Sequence, residues 1–197
     1  MDGRVIITSP NEGSVKERQA LAHRFSRRLS TNSFLSRQTV SYQGNRDTPG
    51  FRWMKYKEGF SSGLVEHMIK QEAPRSVLDP FAGICTTPLV AASRGCQATG
   101  IEIMPVGVLA GEAIASAANG LSQETFNQTA CGLMEAVRSQ TSAPDYTFPH
   151  VPITQGAFPS QTEREIARAR QFLTSLEAYA VRSLLELACV SVLEEAS

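Results

Sequence analysis

Two short apolar runs interrupt a pattern that is otherwise helical. Residues 76–78, Ser-Val-Leu, close on Asp79, and residues 98–103 carry Glu102 near their end. Both read as strands. Between them Pro80 removes a backbone donor and Gly83 permits a sharp bend. Thr86 or Thr87 is placed to cap a helix over 89–94, and Gly95 suits its left-handed end. The spacing of apolar residues elsewhere has the helical period. It predicts helices over 15–30 (Val15, Ala22, Phe25, Leu29), 63–71 (Leu64, Val65, Met68, Ile69), 106–119 and 123–138. The longest stripe runs from Ile166 to Val190 and predicts one C-terminal helix over about 162–193, opened by a Thr162/Glu165 capping box. Residues 4–8, Arg-Val-Ile-Ile-Thr, form a weaker strand candidate.

The strand–turn–helix–strand unit at 75–105 organises the rest. In open α/β sheets, ligands sit beyond the carboxyl ends of the strands. A glycine turn leading into a helix offers backbone donors there. An acid about 20 residues further on, ending the next strand, suits ribose hydroxyls. Glu102 holds that position, and Asp79 would face the same pocket from the adjacent strand. The plainer reading is a βαβ unit whose acids only cap helices.

The residues of the turn carry a resemblance. Asp79-Pro80-Phe81-Ala82-Gly83-Ile84-Cys85-Thr86-Thr87 resembles the S-adenosyl-L-methionine (AdoMet) motif of amino-directed DNA methyltransferases, which methylate the exocyclic amine of cytosine or adenine. The usual form is Asp-Pro-Phe-x-Gly-x-Gly-Thr-Thr, so Cys85 stands where glycine is expected. Upstream, residues 52–69 look like the same family's other cofactor motif, in which a Phe-Ser pair, here Phe60-Ser61, opens a helix beside the methionine part of AdoMet. The resemblance implies an α/β, Rossmann-like AdoMet-dependent methyltransferase fold. It further implies that Asp79, Phe81, Gly83, Cys85 and Thr86 form the turn around AdoMet, that Glu102 binds the ribose hydroxyls, and that Phe60 and Ser61 hold the methionine end.

One part of the family pattern is missing. The catalytic motif Ser/Asn/Asp-Pro-Pro-aromatic has no counterpart, because the sequence contains no Pro-Pro dipeptide. Ser9-Pro10-Asn11 after the apolar run 5–8 is a coincidence or at best a remnant. No catalytic residue is therefore assigned. The fold is expected to be incomplete, an N-terminal cofactor-binding half with a helical C-terminal extension. Either a second polypeptide supplies the catalytic half or the chain is a truncated product. A non-catalytic AdoMet-fold module that binds DNA or a partner is the alternative.

Composition refines this picture. The 197 residues carry 19 basic and 19 acidic side chains, but unevenly. Residues 1–57 hold 11 Lys+Arg against 4 Asp+Glu, and the remainder holds the converse excess. Such a leader suits phosphate contacts, or is a solvated arm. Arg52, Trp53, Lys55, Tyr56 and Lys57 interleave basic and aromatic residues. They either touch nucleic acid or cofactor, or pack Trp53 and Tyr56 under the sheet. Three divisions follow: a basic arm over 1–48, an AdoMet-binding half-domain over 49–140, and a Pro-rich loop with the long helix over 141–197. Four scattered cysteines and three histidines make a metal site an unfavourable reading. Buried reduced thiols and a cytoplasmic protein are the expectation, with DNA as partner and no membrane span.

Overall fold

A computed structural model describes residues 12–28, 32–139, 150–152 and 154–196. The strand candidate at 4–8, Leu29 and most of the Pro-rich loop lie outside them. Packing divides the chain at Leu35/Ser36 into two units. The first contains helix α1 (Glu12–Arg24), which places Val15 and Leu21 in solvent. It ends before the expected residue 30, as Ser26 N–H and Arg28 N–H turn back onto the His23 and Phe25 carbonyls.

The second unit begins with two 3-10 turns, Tyr42–Asn45 and Phe51–Trp53, and continues into α2 (Ser62–Glu72). Ser61 caps α2 by accepting from Leu64 N–H at 3.2 Å, and Ala73 in left-handed geometry, followed by Pro74, ends it. Strand β1 (Ser76–Asp79) pairs in parallel with β2 (Gln97–Gly100), Val77 opposite Ala98 and Asp79 opposite Gly100. Between them runs α3 (Thr86–Ser93). Strand β2 is shorter than the apolar run suggested. Ile101 still donates to the Asp79 carbonyl, but its own carbonyl accepts from Ala82 N–H, so the turn after β1 folds over the end of β2.

Helix α4 (Pro105–Ala118) opens with proline in its first turn, and α5 (Gln123–Arg138) is capped by Ser122, both as the sequence reads. The single C-terminal helix does not form. It is replaced by α6 (Ser160–Thr174) and α7 (Tyr179–Ser191), followed by the short turn α8 (Leu193–Ala196). Two hydroxyl side chains stand at the break. Thr174 Oγ1 donates to the Arg170 and Gln171 carbonyls, and Ser175 Oγ to Phe172 O at 2.7 Å. Ser175 N–H still donates to the Gln171 and Phe172 carbonyls, so the helical pattern runs out just after these side-chain bonds. Helix α6 also starts two residues before Thr162, without a side-chain cap, so the capping box is not used.

Helix α7 joins two cores. Leu187 packs with Phe51, Val65, Ile84, Val90 and Ala110 around the sheet layer. Val181 and Leu185 pack with Leu133, Ala169 and Leu173 between α5 and α6. Residues 160–191 are thus built into the same unit as the strands. One face of the sheet is covered by α3: a Cβ on Gly100 would come within 3.0 Å of Pro88. On the opposite face Leu78 is 63% exposed. Among the described residues no helix is long and apolar enough to cross a membrane.

Candidate functional site: an acidic turn beside a basic cavity

Glu102 fixes the turn. Its Oε2 accepts from Gly83 N–H at 2.7 Å, and Oε1 accepts from Ile103 N–H at 2.8 Å and Met104 N–H at 2.7 Å. One carboxylate therefore ties the glycine turn to the residue that precedes α4. The Met104 N–H bond most strongly holds its carboxyl below the usual carboxylate range. Burial opposes this, and the Gly83 and Ile103 bonds add to it. A carboxylate has about four lone-pair sites. Three are taken, which leaves Oε2 one further bond to give a ligand hydroxyl.

Asp79 ends β1 and its Oδ1 accepts from Phe81 N–H at 3.0 Å, an Asx turn that presents Phe81 to solvent. Gly83 has φ +54, and a Cβ there would lie 3.0 Å from the Tyr56 ring, so both conformation and space call for glycine. Cys85 also has a positive φ, +61, and occupies the N-cap of α3 without a side-chain cap bond. Neither Thr86 nor Thr87 is the cap. Thr86 is instead the first helical residue and buried.

The left-handed Cys85 is accommodated from the other side. A Cβ on Gly111 would come within 2.5 Å of the Cys85 Sγ, and one on Gly107 within 2.5 Å of the Gly83 carbonyl oxygen. Residues four apart lie on one helix face. Gly107 and Gly111 therefore let α4 lie against the turn. The Cys85 thiol is pushed up by burial and then by the charges of Glu102, Asp79 and Glu112, so it stays protonated. Glu112 is itself held by the Tyr179 hydroxyl from α7. Three carboxylates thus gather about the turn.

Phe60 and Ser61 behave differently. Ser61 is 3% exposed, and its hydroxyl both caps α2 and donates to Thr39 O at 2.6 Å. Asn45, also buried, donates to Phe60 O at 2.9 Å and accepts from Ser62 N–H at 2.8 Å. Phe60 packs on the core beside Leu64 and Thr87. The pair shapes the start of α2, with the Ser61 proton given to Thr39 O and one of its lone pairs to Leu64 N–H. Of the four thiols Cys85, Cys96 and Cys189 are half-buried, while Cys131 is exposed, against the expectation of buried cysteines.

A cavity of about 300 Å³ adjoins the turn, lined by Tyr42, Arg46, Arg52, Lys55, Tyr56 and Ile84 among others. Tyr56 is its shared wall: its ring faces the cavity and packs on Gly83. Its phenol is pushed up by burial and then by Glu102 and Glu58. Sequence reasoning missed Asn45, Gly107 and Gly111. The Gly-x-x-x-Gly spacing was the available signal for the last two.

Comparison with known proteins adds the family context. No family model and no solved structure matches the chain. Among curated proteins it is 34% identical over 184 residues to the type II methyltransferase M.AvaI of Nostoc sp., and equally to that of Anabaena variabilis. It is 32% identical over 166 residues to the type II methyltransferase M.BsoBI of Geobacillus stearothermophilus. These matches take in 91% and 82% of this chain but only 37% and 32% of the relatives. The chain is thus homologous, along most of its own length, to about a third of a type II methyltransferase.

Proposed function

We propose that this chain is the AdoMet-binding part of a DNA methyltransferase that modifies an exocyclic amine of cytosine or adenine, built on a Rossmann-like sheet. The observation that carries the reading is the Glu102 carboxylate at the end of β2, bonded to the glycine turn between β1 and α3, in a chain related to type II methyltransferases. Bound AdoMet would supply a methyl group on a positively charged sulfonium. Asp79, Glu102 and Glu112 make the turn a favourable place for such a cation. The remaining lone pair of Glu102 would take one ribose hydroxyl. Phe81, Gly83, Cys85 and the uncapped start of α3 would border the cofactor. Phe60, Ser61 and Thr86 serve as positioning residues, holding α2 and α3 in place. No residue of this chain is assigned to orient the target amine.

The rest of such an enzyme, on a longer chain or a second polypeptide, would cover the open face of the sheet around Leu78. DNA would be the substrate, and the cytoplasm the place of action. The alternative is a non-catalytic AdoMet-fold module. It is favoured by Cys85, whose side chain fills space in the turn where the related motif has glycine.

Calorimetric titration of AdoMet into the chain tests the reading. Asp79→Asn keeps an oxygen for the Phe81 N–H and removes the charge. It should weaken AdoMet about tenfold or more, as expected when a charge-assisted contact is lost. A folded chain that takes up no AdoMet overturns the cofactor role. Binding without methylation, after the remaining part of the enzyme is supplied, selects the non-catalytic module.

A further inference from the structure

The charges beside the turn divide by sign. Around Cys85 stand Asp79, Glu102 and Glu112. On the far side of the Tyr56 ring, the cavity is lined by Arg46, Arg52 and Lys55 and by no acid. Arg46 lies over the Tyr42 ring, 5.7 Å from its centroid. Its hydrogen bond to the phenol, together with the charges of Lys55 and Lys57, holds Tyr42 below its usual pKa against the effect of burial. Asp47 and Glu58 lie in the same segment, but among the described residues no ion pair joins either of them to these cations. Two acids act on the tyrosine wall, Glu102 from the turn and Glu58 from the chain next to Gly59, but neither lines the cavity among the described residues.

AdoMet offers this cluster one carboxylate, set against an ammonium and a sulfonium, so its net charge is positive and it matches three cations less well than a polyanion does. A phosphodiester reverses the sign. Arginine matches phosphate oxygens with paired donors, and lysine adds a point charge. We propose that the cavity bounded by Tyr42, Arg46, Arg52, Lys55 and Tyr56 seats a backbone phosphate of duplex DNA. This inference rests on the proposed function and adds where the substrate is gripped. The phosphate site and the cofactor turn share one wall, Tyr56, so the DNA backbone is held next to the methyl donor. The phosphate contact positions the duplex and carries no sequence information.

The test uses the full chain and a fluorescein-labelled DNA duplex of random sequence, read by fluorescence polarisation across a salt series. Lys55→Gln and Arg52→Gln should each weaken binding about tenfold at low salt and make the salt slope shallower by about one. Lys55→Arg should restore both. Lys70→Gln, an exposed cation on α2, should change neither. AdoMet affinity, measured in parallel by calorimetry, should be the same in all variants. Equal losses with Lys70→Gln, no effect of either cavity variant, or no duplex binding by the wild-type chain at low salt each overturn the phosphate site. Loss of AdoMet rather than DNA in Lys55→Gln gives the cavity to the cofactor and overturns it as well. If the DNA effects appear while AdoMet never binds, the phosphate site stands and the cofactor reading fails. If AdoMet binds and the DNA effects are absent, the reverse holds.

Discussion

Cys85 is the residue at which sequence and geometry pull against each other. A side chain at φ +61 costs about 1 kcal/mol or more relative to glycine. The conformation persists because Gly111 leaves room for the thiol. Gly111→Ala would press a methyl group into Sγ, and such overpacking costs about 1–3 kcal/mol. Cys85→Gly in the same chain should recover most of that loss. Denaturant titration of the two single variants and the double variant reads the coupling directly, and strict additivity would mean that the two residues do not touch. Glu102 carries a second expectation. Its carboxyl is held below its unfolded value, so its contribution is complete above the unfolded carboxylate pKa. That contribution disappears as pH falls through the lowered folded value. Thermal melts from neutral into acid should therefore show a decline that is shallower in Glu102→Gln. An identical decline in both would remove Glu102 from the linkage.

At the scale of elements, regular periodicity was legible and terminations were less so. The apolar pattern placed β1, α4 and α5 closely, because each is bounded at one end by a residue with its own backbone signal: Asp79 before Pro80 closes β1, Pro105 opens α4 and Ser122 caps α5. The break between α6 and α7 was hidden because the Ile166-to-Val190 stripe keeps its period across it. The stop falls at Thr174 and Ser175, a position that no apolar count registers. Likewise the Phe60-Ser61 pair was legible as a helix start, while the double use of the Ser61 hydroxyl depends on Thr39, far away in sequence. That double use is the ground for the proposal that Ser61 positions α2. Ser61→Ala should destabilise the chain by about 1–2 kcal/mol, through the lost cap and the lost hydroxyl bond to the Thr39 carbonyl, which keeps the Ser61 N–H. AdoMet affinity should stay within a few-fold below the melting transition. A large drop in affinity without a change in melting temperature would return Ser61 to the cofactor site.

At the scale of the whole molecule, the two-stranded sheet is the least covered part among the described residues. Parallel sheets are normally covered on both faces, and two strands alone form a marginal sheet. Here α3 covers one face, while Leu78, 63% exposed, marks the other. Past the strand ends Phe81 and Ile103 are still more exposed, 88% and 89%. The relatives are nearly three times as long as the part this chain matches. If the proposed remainder of the enzyme completes the sheet along β1, it does so at the edge away from β2. Hydrogen exchange gives the test. Adding the corresponding remainder of a relative should slow exchange of the outward-facing amides within Ser76–Asp79, and Leu78→Asp should weaken that association while barely shifting the melting temperature of the chain alone. Association that leaves β1 exchange unchanged would place the interface elsewhere, with the two-stranded sheet then relying on α3 and the core around Leu187 for its stability.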